Sequence, residues 1–297
     1  MGRVREGWYE REEIQKVTLD WIKINCKLTN REKELLQIVY DRKLVRRDHL
    51  EIISPSFRKL GNNRTVLLNR SIKKMYKKMI FDKVHEQQEL GKGSNPAILA
   101  LDKAGSLILG KPHKRRIIHK RTTMKGQYYV RRNLPSSFKH INGINQVEVE
   151  TISFCEQCGY EISMWQLEQP KVFSYNEERI ALIPDVLVIL KIGEKYLAVF
   201  IEYDTGSEGL REKEPRIIRE KIVKYKRYKS SSLWKDEEWQ KYFSQHMFPL
   251  LLFVTEDEKR IEFVNRLTKE MGVKGLALYH ENYVSVLKKL IEVVNKQ

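Results

Sequence analysis

The run Phe248–Thr255 is almost continuously apolar, a pattern that fits a strand buried on both faces of a sheet. Two further apolar runs precede it, Val186–Leu190 and Tyr196–Tyr203. Around them the spacing predicts helices over His140–Cys158, Glu214–Tyr228, Lys259–Met271 and Tyr283–Asn295, and strands over Ile162–Glu168 and Leu276–Tyr279. From about Ser136 onward the chain therefore reads α/β, with the order α-β-β-β-α-β at its heart.

Acidic residues mark the ends of two of these strands. Pro184-Asp185 leads into the first run, and Ile201-Glu202-Tyr203-Asp204 closes the second. Carboxylates at the ends of adjacent strands are a way to hold a divalent cation. Such a cation polarises a phosphoryl oxygen and lowers the pKa of a bound water. Mg2+ accepts hard oxygen ligands and often takes only one or two carboxylates. Asp185 and Glu202 are the candidate ligands of a Mg2+ ion, provided the two strands pair as a hairpin. The expected fold is a restriction-endonuclease-like core over residues 140–297. In the usual PD-(D/E)XK pattern a lysine lies two residues after the second acid. Asp204 stands there instead, so Lys221 or Lys224 on the following helix is the candidate amine. The candidate catalytic set is Asp185, Glu202, Asp204 and Lys221. Lys221, Tyr225 and Tyr228 share one helix face by their spacing. Glu148 and Glu150 are alternative third acids. Without a metal, Asp185 reads as a turn residue after proline, and Asp204-Thr205-Gly206-Ser207 as a strand-ending turn.

The N-terminal half has a different character. Residues 1–140 hold 33 Lys and Arg against 14 Asp and Glu, whereas residues 141–297 hold 23 against 25. The formal net charge of +17 is thus concentrated in one half. Such a patch binds phosphates in a salt-sensitive way. A basic face on a soluble protein, or attraction to acidic lipid, is the alternative.

A DNA-reading shape accompanies that charge. Thr29 and Glu32 have the spacing of a capping box. The helix that follows carries Leu35, Ile38 and Val39 on one side. A second helix fits Asp48–Ile53 and stops at Ser54-Pro55, because a residue before proline is pushed out of the helical region. A third fits Arg64–Met79, with Leu68, Ile72, Met75 and Met79 as its apolar stripe. Strand-like pieces follow at Ile80–His85 and Ala97–Asp102, joined through Gly91-Lys92-Gly93. Helix, helix, basic helix and β-ribbon is the order of a winged helix-turn-helix, whose third helix enters the major groove. Asn62, Asn63 and Arg64 are candidate base readers. Lys73, Lys77 and Lys92 are candidate phosphate contacts, and Arg58, Lys59 and Arg70 are further candidate DNA-binding residues. Winged helices also serve protein contacts, so the lysines alone do not decide.

Four segments are expected: an extension over 1–27, the winged helix over 28–110, a basic linker over 111–139, and the nuclease-like domain. The linker holds ten Lys and Arg and no Asp or Glu, with Tyr128, Tyr129 and Phe138 interleaved. It is expected to be exposed, either tracking a DNA backbone or disordered.

Other classes find little support. No apolar run reaches the ~20 residues of a membrane span, and Met1–Arg11 lacks the apolar stretch of a signal peptide. A cytoplasmic protein is expected. Three cysteines argue against a disulfide scaffold. Cys155-x-x-Cys158 has no second pair to complete a zinc site, and His140 is isolated. There is no Walker A pattern and no serine-nucleophile signature. A tyrosine nucleophile of the relaxase kind is conceivable among 14 tyrosines, but no histidine cluster accompanies one.

The chain resembles the replication-relaxation proteins of Gram-positive plasmids and mobile elements. The resemblance rests on the winged-helix start from Leu28-Thr29 to Leu101-Asp102-Lys103-Ala104-Gly105, on His140 with Asn145, and on Ile183-Pro184-Asp185. Phe200–Gly206 and Lys221 with Tyr225 complete it, over residues 28–255. It implies a DNA-binding role in plasmid replication or mobilisation. It also implies a nuclease-like domain, without settling whether that domain cuts. Glu-x-Asp at Glu202 agrees with that family. The expected partner is double-stranded DNA, with replication or mobilisation proteins and a homodimer as further expectations, and no membrane. The alternatives are an active Mg-dependent endonuclease or nickase using Asp185, Glu202 and Lys221, and an interaction module that recruits replication proteins.

Overall fold

The computed structural model describes residues 16–86, 95–124, 127–206 and 214–296, without the side chains of 121–124, 127–131 and 214–216. Lys92, its glycine-rich connection, Ser207 and the side chains of Tyr128 and Tyr129 lie outside the described residues. The chain forms two compact units, Met1–Val149 and Glu150–Gln297, and each has its own core. Among the described residues no helix is long and apolar enough to cross a membrane.

In the first unit, α1 (Leu19–Asn25) precedes α2 (Asn30–Arg42). The capping box forms as the sequence predicts. Thr29 Oγ1 accepts from the Glu32 N–H at 3.3 Å, and Glu32 Oε2 accepts from the Thr29 N–H at 2.9 Å. Both orphan donors at the helix start are satisfied locally. Leu35, Leu36, Ile38 and Val39 face the core. β1 (Val45–Arg46), α3 (Arg47–Ile53), α4 (Pro55–Arg58) and α5 (Arg64–Lys77) follow, with a 3-10 turn at Gly61–Asn63 before α5. β2 (Phe81–Val84) and β3 (Ile98–Leu101) pair antiparallel, and β1 adds to β3 to give the order β1-β3-β2. α2, α3, α5 and the β2–β3 ribbon occur in the expected order, with a short further helix, α4, between α3 and α5. All four stripe residues, Leu68, Ile72, Met75 and Met79, are buried.

α6 (Lys103–Ile108) lies close to this sheet. A Cβ on Gly105 would sit 2.4 Å from the Ile80 carbonyl oxygen, so only glycine fits there.

The segment expected to be an exposed basic connection is instead ordered in its middle. β4 (Ile118–Met124) and β5 (Gln127–Asn133) form an antiparallel hairpin. Ile117 just before it is fully buried, in a cluster with Leu44, Val84, Ile98 and Phe138. Two interactions outweigh the local charge. The ribbon satisfies its own backbone groups, and Asp82 on β2 takes up both His119 of β4 (2.6 Å) and Arg132 of β5 (3.6 Å).

The boundary between the units falls within α7 (Phe138–Cys158). The second unit contains a mixed sheet built from β6 (Glu161–Leu167), β9 (Val186–Ile192), β10 (Lys195–Asp204), β11 (Leu250–Thr255) and β12 (Gly275–Tyr279). A separate hairpin, β7 (Lys171–Tyr175) with β8 (Glu178–Leu182), is inserted between β6 and β9. The sheet order is β12-β11-β10-β9-β6. β6, β9 and β10 run antiparallel in turn, and β10, β11 and β12 run parallel. The crossover from β10 to β11 uses α8 (Glu214–Ser231), and α9 (Glu258–Met271) links β11 to β12. α10 (Tyr283–Lys296) closes the chain. Leaving aside the inserted hairpin, α7-β6-β9-β10-α8-β11 is the α-β-β-β-α-β order of a restriction-endonuclease-like core. β11 is flanked by a strand on each side, and Leu251–Thr255 are all buried, as its apolar run requires.

Candidate active site

β9 and β10 pair in register up to Ile201 opposite Val186. The next residues along are Glu202 and Asp185, which brings the two acids together at one end of the hairpin. The Tyr203 N–H donates to Asp185 Oδ2 at 2.8 Å and continues the strand contact through a side chain. Lys221 reaches both acids from α8. Its Nζ lies 3.5 Å from Asp185 Oδ1 and forms a close ion pair with Glu202 Oε2. Three of the four expected catalytic residues therefore converge. The ammonium comes from the helix face that the spacing of Lys221, Tyr225 and Tyr228 marks. Lys224 on the same helix is exposed.

Burial sets the electrostatics. Glu202 is 2 % exposed. Burial first, then the neighbouring Asp185 charge, pushes its carboxyl up to about 8, against the pull of Lys221 and Tyr225. Burial works against the Lys221 ammonium, but Glu202 and Asp185 together hold its pKa above the ordinary lysine value. The buried Tyr225 hydroxyl donates to Glu202 Oε1. Burial and the Glu202 charge raise that phenol well above its usual range.

Asp204 lines the same cleft but has a different partner. Both of its oxygens take Arg260 Nη1 from α9, one at 2.6 Å, and its Oδ2 accepts from Thr255 Oγ1 at 3.4 Å. Asp257 also approaches Arg260, at 3.5 Å from Nε. The cleft, about 120 Å3, is walled by Glu202, Asp204, Ile217, Lys221, Phe253 and Arg260. Sequence reading missed Arg260. The only hint was an acid at position 204, where a lysine is usual, that needed a counter-charge from elsewhere.

Glu148 and Glu150 are not brought to this cleft. Glu148 pairs with Arg42, at 2.8 Å from its Nε. Glu150 accepts from His280 Nε2 at 3.2 Å, and His280 Nδ1 lies 2.8 Å from the Tyr203 hydroxyl, which donates to Glu256. Tyr203 follows Glu202 in the strand, and adjacent side chains point to opposite faces of the sheet. Among the described residues no group of three or more His, Cys, Asp or Glu is arranged to hold a metal. Cys155 is buried and Cys158 exposed. Burial pushes the Cys155 thiol up to about 11.

In the first unit, Lys59, Asn62, Asn63, Arg70, Lys73 and Lys77 are exposed on and before α5. Arg58 and Arg64 are half-buried. Arg58 Nη1 donates to the Ile52 carbonyl at 3.1 Å, and Arg64 Nε lies 3.6 Å from Glu51 Oε2. These two arginines are held by the protein, whereas the two asparagines are open to a partner.

The replication-relaxation family model matches residues 36–240. The chain belongs to the replication-relaxation family. No curated protein matches it. Among solved structures, the Vibrio cholerae protein VC1899 is 13 % identical with a TM-score of 0.31, covering 80 % of this chain and 44 % of its own. The restriction endonuclease FokI bound to DNA is 12 % identical with a TM-score of 0.25, covering 89 % of this chain and 44 % of its own. This family member thus spans less than half the length of either, and both scores are too low to carry a fold assignment.

Proposed function

We propose that the protein is a DNA-binding and DNA-nicking member of its family, acting in plasmid replication or mobilisation. The observation that carries this reading is the convergence of Asp185, Glu202 and Lys221 at one end of β9 and β10. Two carboxylates and an amine from the crossover helix form a PD-(D/E)XK-type set in which the lysine has moved to α8. The donors fit a Mg2+ ion: Asp185 and Glu202 offer hard oxygens, and Mg2+ completes its shell with water and substrate phosphate. When bound, it would polarise a phosphodiester and acidify a water. Lys221 balances the charge of the paired acids and is placed where it would orient a nearby water. Tyr225 fixes Glu202 by its hydrogen bond.

The N-terminal unit supplies the address. The order of α2, α3 and α5 before the β2–β3 ribbon supports a winged helix that inserts α5 into the major groove, with Asn62 and Asn63 at its leading end. The exposed Lys59, Arg70, Lys73 and Lys77 then contact phosphates.

A supercoiled plasmid incubated with Mg2+ or Mn2+ tests the whole reading. Nicking by the parent and its loss in Asp185→Ala are the expected results. An intact plasmid with every metal, together with a clear footprint, would leave a DNA binder with an inert second unit. Lys73→Ala and Lys77→Ala are each expected to lower the salt dependence of DNA binding by about one unit of slope. Unchanged affinity at low salt in both would remove the winged-helix assignment.

A further inference from the structure

We propose that the first unit carries a phosphate-binding seat separate from the α5 face, in a cavity of about 140 Å3 at the end of α2. Tyr40 and Lys43, Ser106 of α6, and Lys111, Lys114 and Arg116 are among its lining residues. Four cations meet around this space, and among the described residues no carboxylate lines it. Positive charge on Lys111, Lys114 and Arg116 at its lining attracts an anion. Ser106 is 2 % exposed and brings a hydroxyl able to donate to an oxyanion. The Lys111 ammonium lies 5.8 Å from the centre of the Tyr40 ring, over its aromatic face.

The backbone gives a second, independent reason. Lys43 has φ 65° and ψ −51°. The Leu44 N–H donates to the Arg42 carbonyl at 2.6 Å across it. This is the tight γ-turn that L-residues rarely adopt, and glycine would enter it without strain. A lysine held in such a conformation at the rim of a cationic cavity points to a role for its side chain.

The ligand chemistry is a phosphate group. It can come from the backbone of a DNA duplex or from a free nucleotide. The test uses the full chain with three probes: inorganic phosphate, AMP, and a short duplex of random sequence, each titrated by calorimetry or fluorescence anisotropy. Lys43→Gly and Lys114→Gln are the variants. Because glycine relaxes the turn, Lys43→Gly is expected to melt no lower than the parent, so a loss of binding cannot be assigned to unfolding.

If free nucleotide is the source, AMP binds the parent and each variant weakens it about tenfold. If the DNA backbone is the source, small phosphates bind too weakly to measure. Each variant then lowers duplex affinity and flattens its salt dependence by about one unit of slope. Unchanged binding of all three probes in both variants overturns the seat. That outcome is distinct from failure of the α5 reading, which is probed by Lys73→Ala and Lys77→Ala.

Discussion

The Tyr203 N–H holds Asp185 Oδ2 at 2.8 Å, across the strand end from Glu202. Asp185 is thus held by backbone as well as by Lys221, and Glu202 by the side chains of Tyr225 and Lys221. Asp185→Asn keeps an oxygen that can accept from Tyr203 but removes the charge. It is expected to weaken Mn2+ binding by about 100-fold or more, since groups that merely support a ligand already contribute 10–100-fold. Nicking should fall with it, while thermal stability changes little. Wild-type metal affinity in this variant, measured by calorimetry, would exclude Asp185 as a ligand.

Glu202 couples stability to pH. Its folded-state pKa, about 8, lies above its ordinary value of 4.5. The folded state therefore binds the proton more tightly than the unfolded one. The stabilisation is fully present below about pH 4.5 and is lost as pH rises through about 8. At the high end the loss is at most about 5 kcal/mol. Chemical denaturation of metal-free protein between pH 5 and 9 should show this decline, and Glu202→Gln should flatten it. Metal binding runs the other way, because the ion needs the carboxylate. Mn2+ affinity is expected to rise with pH up to about 8.

Tyr225 supports Glu202 from a fully buried position. Tyr225→Phe keeps the ring, which packs 5.3 Å from Phe200 by centroids, and removes only the hydroxyl. Glu202 Oε1 then loses its donor inside the protein. A cost of about 1–3 kcal/mol is expected, larger at pH 9 than at pH 5, because the ionised acid needs the donor more. Equal destabilisation at both pH values would show that the hydroxyl acts through packing alone.

Legibility in the sequence followed the range of the interaction. Thr29 and Glu32 are three residues apart and obey a local rule, so their capping box could be read directly. Asp185 and Glu202 lie at the ends of strands joined by a short turn, so their convergence needed only a hairpin. Lys221 and Tyr225 are one helical turn apart. The hairpin of β7 and β8 was hidden because its two turn residues, Asn176 and Glu177, both have positive φ (49° and 66°). Such turns are usually marked by Asn-Gly, and the Glu177 side chain removes that mark. Arg260 and Asp204 are 56 residues apart, and no periodicity links a helix residue to a strand end across that distance. The β4–β5 hairpin was masked by composition, because ten cations in 29 residues read as a solvated linker until a buried acid is placed beneath them.

That acid, Asp82, gives the last prediction. His119 and Arg132 are cross-strand partners in the hairpin register, and both point at the one carboxylate of Asp82, which is 4 % exposed. Asp82 thereby ties the ribbon to β2. Asp82→Ala leaves two basic groups in a largely buried site without their counter-charge, and a loss of roughly 3 kcal/mol is expected. Asp82→Asn retains hydrogen bonding and should cost less. The loss should also be local. Amide exchange should quicken across residues 118–133 well before it does in α2 or α5, because the hairpin can detach while α2 and α5 keep their own buried contacts. Uniform acceleration over the whole first unit would mean that Asp82 supports the core and not the hairpin.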